Sequence, residues 1–109
     1  MAGELVTVTP TQRSLAKLRS EGWHAEVVER WNPHTRTRHD LFGFGDILAI
    51  GPSGVLLVQT TDGTSVSKRV NKITDSPLIG VVREAGIAVH VHGWAKKGNR
   101  WECRVVDLS

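Results

Sequence analysis

Residues 43–61 read GFGDILAIGPSGVLLVQTT. The stretch predicts two strands, Phe44–Ile50 and Val55–Thr61, joined by the turn Gly51-Pro52-Ser53-Gly54. Both strands are almost wholly apolar, so a polar side chain on either is costly to bury without a partner. Two stand out: Asp46 near the start of the first strand and Gln59 near the end of the second. A hairpin sets the start of one strand beside the end of the next. Carboxylate and amide are therefore expected to meet at one end of a buried ladder.

Upstream of the hairpin, Thr9-Pro10-Thr11 offers a helix start, with hydroxyls beside a proline. From Thr11 to Glu21, Leu15, Ala16 and Leu18 fit one helical stripe, Arg13, Lys17 and Arg19 take the outer side, and Gly22 closes the helix. Residues 1–8 read as a ragged or edge-pairing start. Trp23–Trp31 (WHAEVVERW) is rich in β-branched and aromatic residues and predicts one strand. Residues 32–40 (NPHTRTRHD) read as a polar loop.

Downstream, Ser65–Ile73 carries Val66, Val70 and Ile73 at helical spacing, with Lys68, Arg69 and Lys72 between them. Asp75-Ser76-Pro77 opens a further helix that Gly86 ends, with Ser76 as its cap. Ile87–Trp94 alternates Ile87, Val89 and Val91 against Ala88, His90 and His92, as a strand does. His90 and His92 share a face, but no third ligand lies near them in sequence, so a structural role is expected. After the basic turn 96–99, Arg100–Leu108 forms a last strand, with Trp94 and Trp101 packed across the pair. The order is helix, three strands, one or two helices, two strands. It predicts a mixed α/β (α+β) fold: a meander, a helical crossover and a mixed central sheet flanked by helices.

A chain of 109 residues makes one domain with a modest core. The single cysteine, Cys103, excludes an internal disulfide and the common multi-cysteine zinc patterns. The segment MAGELVTVTP lacks the basic region and long apolar run of a secretory signal. No apolar run approaches the ~20 residues that span a bilayer. The expected location is the cytoplasm, with no membrane partner. A formal charge of +3 is compatible with a polyanion.

The order of elements, with Asp46 on the second strand and Gln59-Thr60-Thr61 at the end of the third, resembles the PD-(D/E)XK nuclease superfamily. It is similar above all to small phage and archaeal endonucleases of the Holliday-junction-resolvase type. The resemblance spans roughly residues 11–94 and implies an αβββαβ core of the restriction-endonuclease kind. In that superfamily the second strand brings an aspartate; the third ends in an acid or glutamine, a spacer and a lysine. Here Gly45 precedes Asp46 where proline is usual, and Thr61 stands in the place of the lysine. The resemblance implies a DNA endonuclease using magnesium or manganese, and commonly a homodimer, so that two sites reach two strands. Asp46, Gln59 and the Thr60 carbonyl are the implied ligands. Threonine carries no charge, so Lys68, or else Lys72, is the expected substitute cation.

The chemistry is coherent on its own terms. Phosphodiester hydrolysis needs charge stabilisation and an activated water, which a hard divalent ion supplies from oxygen ligands. A further carboxylate is wanted, and Glu29 is the choice: if Val27 faces the core, strand alternation puts Glu29 on the same side. Each residue has an ordinary alternative. Glu29 could be an edge glutamate paired to Arg30 or Arg36. Asp46 could cap the preceding glycine turn, and Gln59 could be an amide bonded to backbone. Arg36, Arg38 and His39 before the hairpin, and Lys68, Arg69 and Lys72 after it, are candidate DNA-backbone contacts. Two other functions fit the same residues. One is a nucleic-acid-binding module that has lost catalysis; the other is a protein-interaction domain using an exposed edge strand.

Overall fold

The computed structural model describes residues 8–109, so the start expected for the first eight residues lies, Val8 apart, outside it. Helix α1 (Pro10–Ser20) begins at Thr9, whose hydroxyl accepts the Gln12 N–H at 3.2 Å while the Gln12 side chain accepts the Thr9 N–H at 3.1 Å. This reciprocal box satisfies two orphan donors of the first turn. After α1 come β1 (His24–Val27), β2 (Arg30–Asn32), β3 (Thr37–His39), β4 (Ile47–Gly51) and β5 (Gly54–Asp62). A 3-10 turn leads into α2 (Val66–Thr74) and α3 (Ile79–Glu84), and the chain ends in β6 (Ile87–Lys97) and β7 (Arg100–Asp107).

The fold is mixed α+β. Five strands form one sheet in the order β1-β4-β5-β6-β7, antiparallel except for the parallel pair β5–β6 that the helical crossover creates. The sheet separates two cores. Leu56 and Val58 of β5, with Ile47, Ala49 and Ala25, pack under Leu18 of α1. Leu57, one residue out of step, turns to the other face and joins Phe44, Val66, Ile73, Val82 and Val89 under α2 and α3. A strand covered on both faces must be apolar at nearly every position, and for that reason Val55–Val58 show no alternation.

Two expectations need correction. The strand expected over Trp23–Trp31 is two strands. The Val28 N–H still bonds to the Asp46 carbonyl at 2.9 Å, but β1 ends at Val27 and the chain then turns into β2. Residues 32–40 are also not all loop, because Thr37–His39 pairs with Arg30–Asn32 as a separate two-stranded ribbon. Asn32 closes its turn by accepting the His34 and Thr35 N–H groups. Both faces of this ribbon meet solvent, so no apolar alternation marks it.

A buried polar chain fastens α1 to the sheet. Ser14 and His92 are essentially without exposure, with Ser14 Oγ 2.8 Å from His92 Nδ1. Trp94 Nε1 donates to the same oxygen at 2.8 Å. An indole nitrogen can only donate, so the serine proton is free for the imidazole, which then carries its own hydrogen on Nε2. Burial, helped by His90 and Lys17, pushes the His92 pKa down to about 4. Its folded value lies below the unfolded one, so its stabilising contribution is complete above about pH 6.5 and is lost as pH falls toward 4. An NMR titration should find the His92 imidazole midpoint near 4, and a midpoint above 6 would show the ring to be solvated. Ser14→Ala, which strands the Trp94 N–H, should lower the unfolding free energy by about 1–3 kcal/mol.

Candidate metal centre

The Asp46 backbone is clamped from both sides. Its N–H donates to the Val58 carbonyl at 2.8 Å, and its carbonyl accepts from Val28 at 2.9 Å. The side chain, 3% exposed, is equally fixed. Oδ2 accepts from Gln59 Nε2 at 2.8 Å, from the Thr60 N–H at 2.7 Å and from the Thr60 hydroxyl at 3.1 Å. The expected meeting of Asp46 and Gln59 is therefore direct. Asp46 does not cap the glycine turn, and Gln59 bonds to a carboxylate rather than to backbone. Thr60 serves Asp46 through its N–H and hydroxyl. The hydroxyl also lies 2.7 Å from that of Thr11, which ties the first turn of α1 to the site.

Glu29 and Asp40 complete the centre: one carboxylate oxygen from each of Glu29, Asp40 and Asp46 lies within 4.8 Å of the other two. Glu29 arrives by a route other than the expected alternation. Val27 is 44% exposed, and Ala25 is the β1 residue in the core. Glu29 reaches the cluster because the chain bends after β1. It lies 3.9 Å from Arg38, not against Arg30 or Arg36. Asp40 has no counterpart among the residues chosen from sequence. The structure supplies the reason: Arg30 pairs with His39, so the residues flanking that pair, Glu29 and Asp40, emerge side by side. From Asp40 the chain folds tightly back to Asp46. Leu41 and Gly45 exchange hydrogen bonds at 2.8 Å, with Phe42 and Gly43 at positive φ. Gly45 fills its place because a Cβ there would lie 2.4 Å from the Leu57 side chain.

Burial is the largest force on the carboxyls of Asp46 and Asp40. It raises the pKa of Asp46 against the stabilising Thr60 N–H, and it raises that of Asp40, with the charge of Asp46 adding to it. The cleft above them holds about 430 Å³ and is lined also by Arg38, Thr61 and Arg69. Among the described residues, two buried side-chain atoms have no hydrogen-bond partner, Gln59 Oε1 and Arg69 Nε, and both residues line this cleft. Lys72 sits 3.6 Å from Asp40. Lys68 is exposed and does not line the cleft. His39 bonds to Thr37 and lines the hollow on the other side of the ribbon, with Arg30 and Phe42. Arg36 is at the ribbon turn.

No family model, curated protein or solved structure matches the chain. The site must therefore be judged on its own chemistry. Three carboxylates and an unpaired amide oxygen form an all-oxygen donor set, the kind that hard cations such as magnesium, manganese and calcium prefer.

A cation bound only by the folded chain stabilises it by mass action. At about ten times its Kd, magnesium or manganese should add about 1.4 kcal/mol and raise Tm by roughly 5–10 °C. Thermal melts of Asp46→Asn should show no such rise, and a rise of equal size would place the cation elsewhere. In EDTA at pH 7, Asp40→Asn should melt higher than the native chain. A carboxyl whose pKa is raised by folding costs stability once ionised. A lower Tm would mean that the ion pair with Lys72 outweighs the crowding.

Proposed function

We propose that the chain is a metal-dependent DNA endonuclease. The observation that carries the reading is a pair of unpartnered buried atoms on two residues that line one cleft, an acceptor on Gln59 and a donor on Arg69. Each costs about 1–3 kcal/mol if it stays unsatisfied, so a fold that keeps both in one cleft keeps them for a ligand with a cationic and an anionic part. A phosphodiester bound with a divalent cation is such a ligand.

Glu29, Asp40, Asp46 and Gln59 Oε1 would hold magnesium or manganese, which supplies charge neutralisation at the phosphoryl oxygens and an activated water. The chain's own residues do the rest. Gln59 Nε2 and Thr60 fix Asp46 Oδ2 and leave Oδ1 free of their hydrogen bonds. Arg69, half-buried, lines the cleft with the acids and would bring its guanidinium charge to a phosphate oxygen. Lys72 balances Asp40. Thr61, 6% exposed, lines the cleft without charge, so Arg69 and Lys72 of α2 would take over the electrostatic work expected of a lysine. Arg38 extends the basic surface to the ribbon. Symmetric cutting of a branched DNA needs two such sites, so the active species is a homodimer. Among the described residues no helix is long and apolar enough to cross a membrane.

The uncharged Thr61 also favours a second reading, a module that binds nucleic acid without cutting it. One assay separates the two: purified protein on linear, single-stranded and four-way-junction DNA, with magnesium, manganese or EDTA. Cleavage should require the metal and fall by at least about a thousandfold in Asp46→Asn, whose fold should persist. Salt-sensitive binding with no cleavage in any metal would establish the second reading instead.

A further inference from the structure

The β2–β3 ribbon lies outside the main sheet and grows from the carboxylates. Glu29 immediately precedes β2 and Asp40 immediately follows β3. Residues 30–39 (RWNPHTRTRH) hold three arginines, two histidines, one tryptophan and no acid, and Pro33 at the turn is the one aliphatic side chain. Trp31 is 60% exposed. It pairs across the ribbon with Arg38, and directly opposed residues share a face. Arg38 lines the cleft and lies 3.9 Å from Glu29, so the face bearing Trp31 is the face toward the carboxylates. Arg30 and His39 occupy the opposite face.

An exposed indole beside guanidinium groups, with only Pro33 as a further apolar residue on the ribbon, is poorly suited to a protein partner, whose contact core would be apolar. It suits a strand that alternates phosphates with unpaired bases, because a base stacks on an aromatic ring while arginine holds the backbone. We infer that the ribbon is a single-strand-binding arm in which Trp31 stacks on an unpaired DNA base. Arg38 and Arg36 hold the adjoining phosphates, delivering the strand to the cleft at the ribbon's root. The arm rests on the nuclease reading only for what happens after delivery. The arm explains how a small domain would prefer branched or unpaired DNA: a base locked in a duplex stack presents no free face to the indole.

The test is binding of the full chain, in EDTA, to fluorescein-labelled single-stranded DNA, a four-way junction with unpaired flaps and a fully paired duplex, followed by anisotropy. Trp31→Ala should weaken binding to the first two by about tenfold and to the duplex by much less. Trp31→Phe, which keeps a ring, should restore most of the loss. Trp31 is largely exposed, so both variants should melt near the native temperature, and the melt is recorded for each. Equal affinity of the native and Trp31→Ala proteins for single strands would overturn the arm. So would a loss confined to duplex, which would mark groove insertion, or a preference for RNA of the same sequence. Because no metal is present, failure here leaves the Asp46→Asn cleavage result standing, and an inert carboxylate cluster leaves the binding result standing.

Discussion

Asp46 carries a charge into the end of an apolar hairpin, and the surrounding chain is arranged around that conflict. Its backbone is pinned between Val28, just past β1, and Val58 of β5, so it cannot move to relieve the carboxylate. Three donors converge on one oxygen, and they come from two adjacent residues of one strand. They offset desolvation only in part, because burial still leaves the carboxyl with a raised pKa. The arrival of Glu29 and Asp40 then works against stability. Buried like charges are tolerated where function requires them. A divalent cation would turn that repulsion into attraction at the same three residues.

The ribbon and the acidic cluster are one construction. Glu29 and Asp40 meet because Arg30 pairs with His39, and the ribbon would fray at its root if those two carboxylates repelled freely. Arg38 and Lys72, one from the ribbon and one from α2, are the counter-ions that hold the root together in the absence of metal. Both pairs are long and partly exposed, the kind that contributes little individually. Order in the ribbon and occupancy of the cluster would therefore be coupled: a cation between the carboxylates would tie the two ribbon strands to the start of β4, and a strand held by the ribbon, as inferred above, would steady the carboxylates.

The hairpin at 43–61, the five-stranded mixed sheet and the covering helices were legible in the sequence because strand and helix periods differ there and turns are marked by glycine and proline. The contact of Asp46 with Gln59 followed from antiparallel geometry alone. The ribbon was not legible: its strands are three residues long, wet on both faces and polar throughout, so no period exists to read. Asp40 was missed with it. Lys68 is different, because the information was present. Val66, Val70 and Ile73 face the core. At about 100° per residue, Lys68 lies roughly 170° from the centre of that stripe, Lys72 roughly 125° and Arg69 roughly 65°. Arg69 was the residue placed to flank a site beside the core, and its unpartnered Nε agrees with the wheel.

The same wheel bears on how the cleft and the ribbon would divide their work. Four acids, Glu29, Asp40, Asp46 and Asp62, and two arginines, Arg38 and Arg69, line the cleft, with Lys72 paired to Asp40 beside it, so without a cation the cleft has little pull on a polyanion. A bound divalent ion would raise its charge by two, in a half-buried place where charge is weakly screened. The ribbon has its arginines in any case. On the nuclease reading, nucleic acid is first held by the ribbon, whether or not metal is present. It is drawn into the cleft only when the carboxylates are neutralised. A lysine at position 61 would have made the cleft basic at all times. On the same reading, threonine there, with cations on α2 and the ribbon instead, would make engagement of the scissile phosphate conditional on the metal.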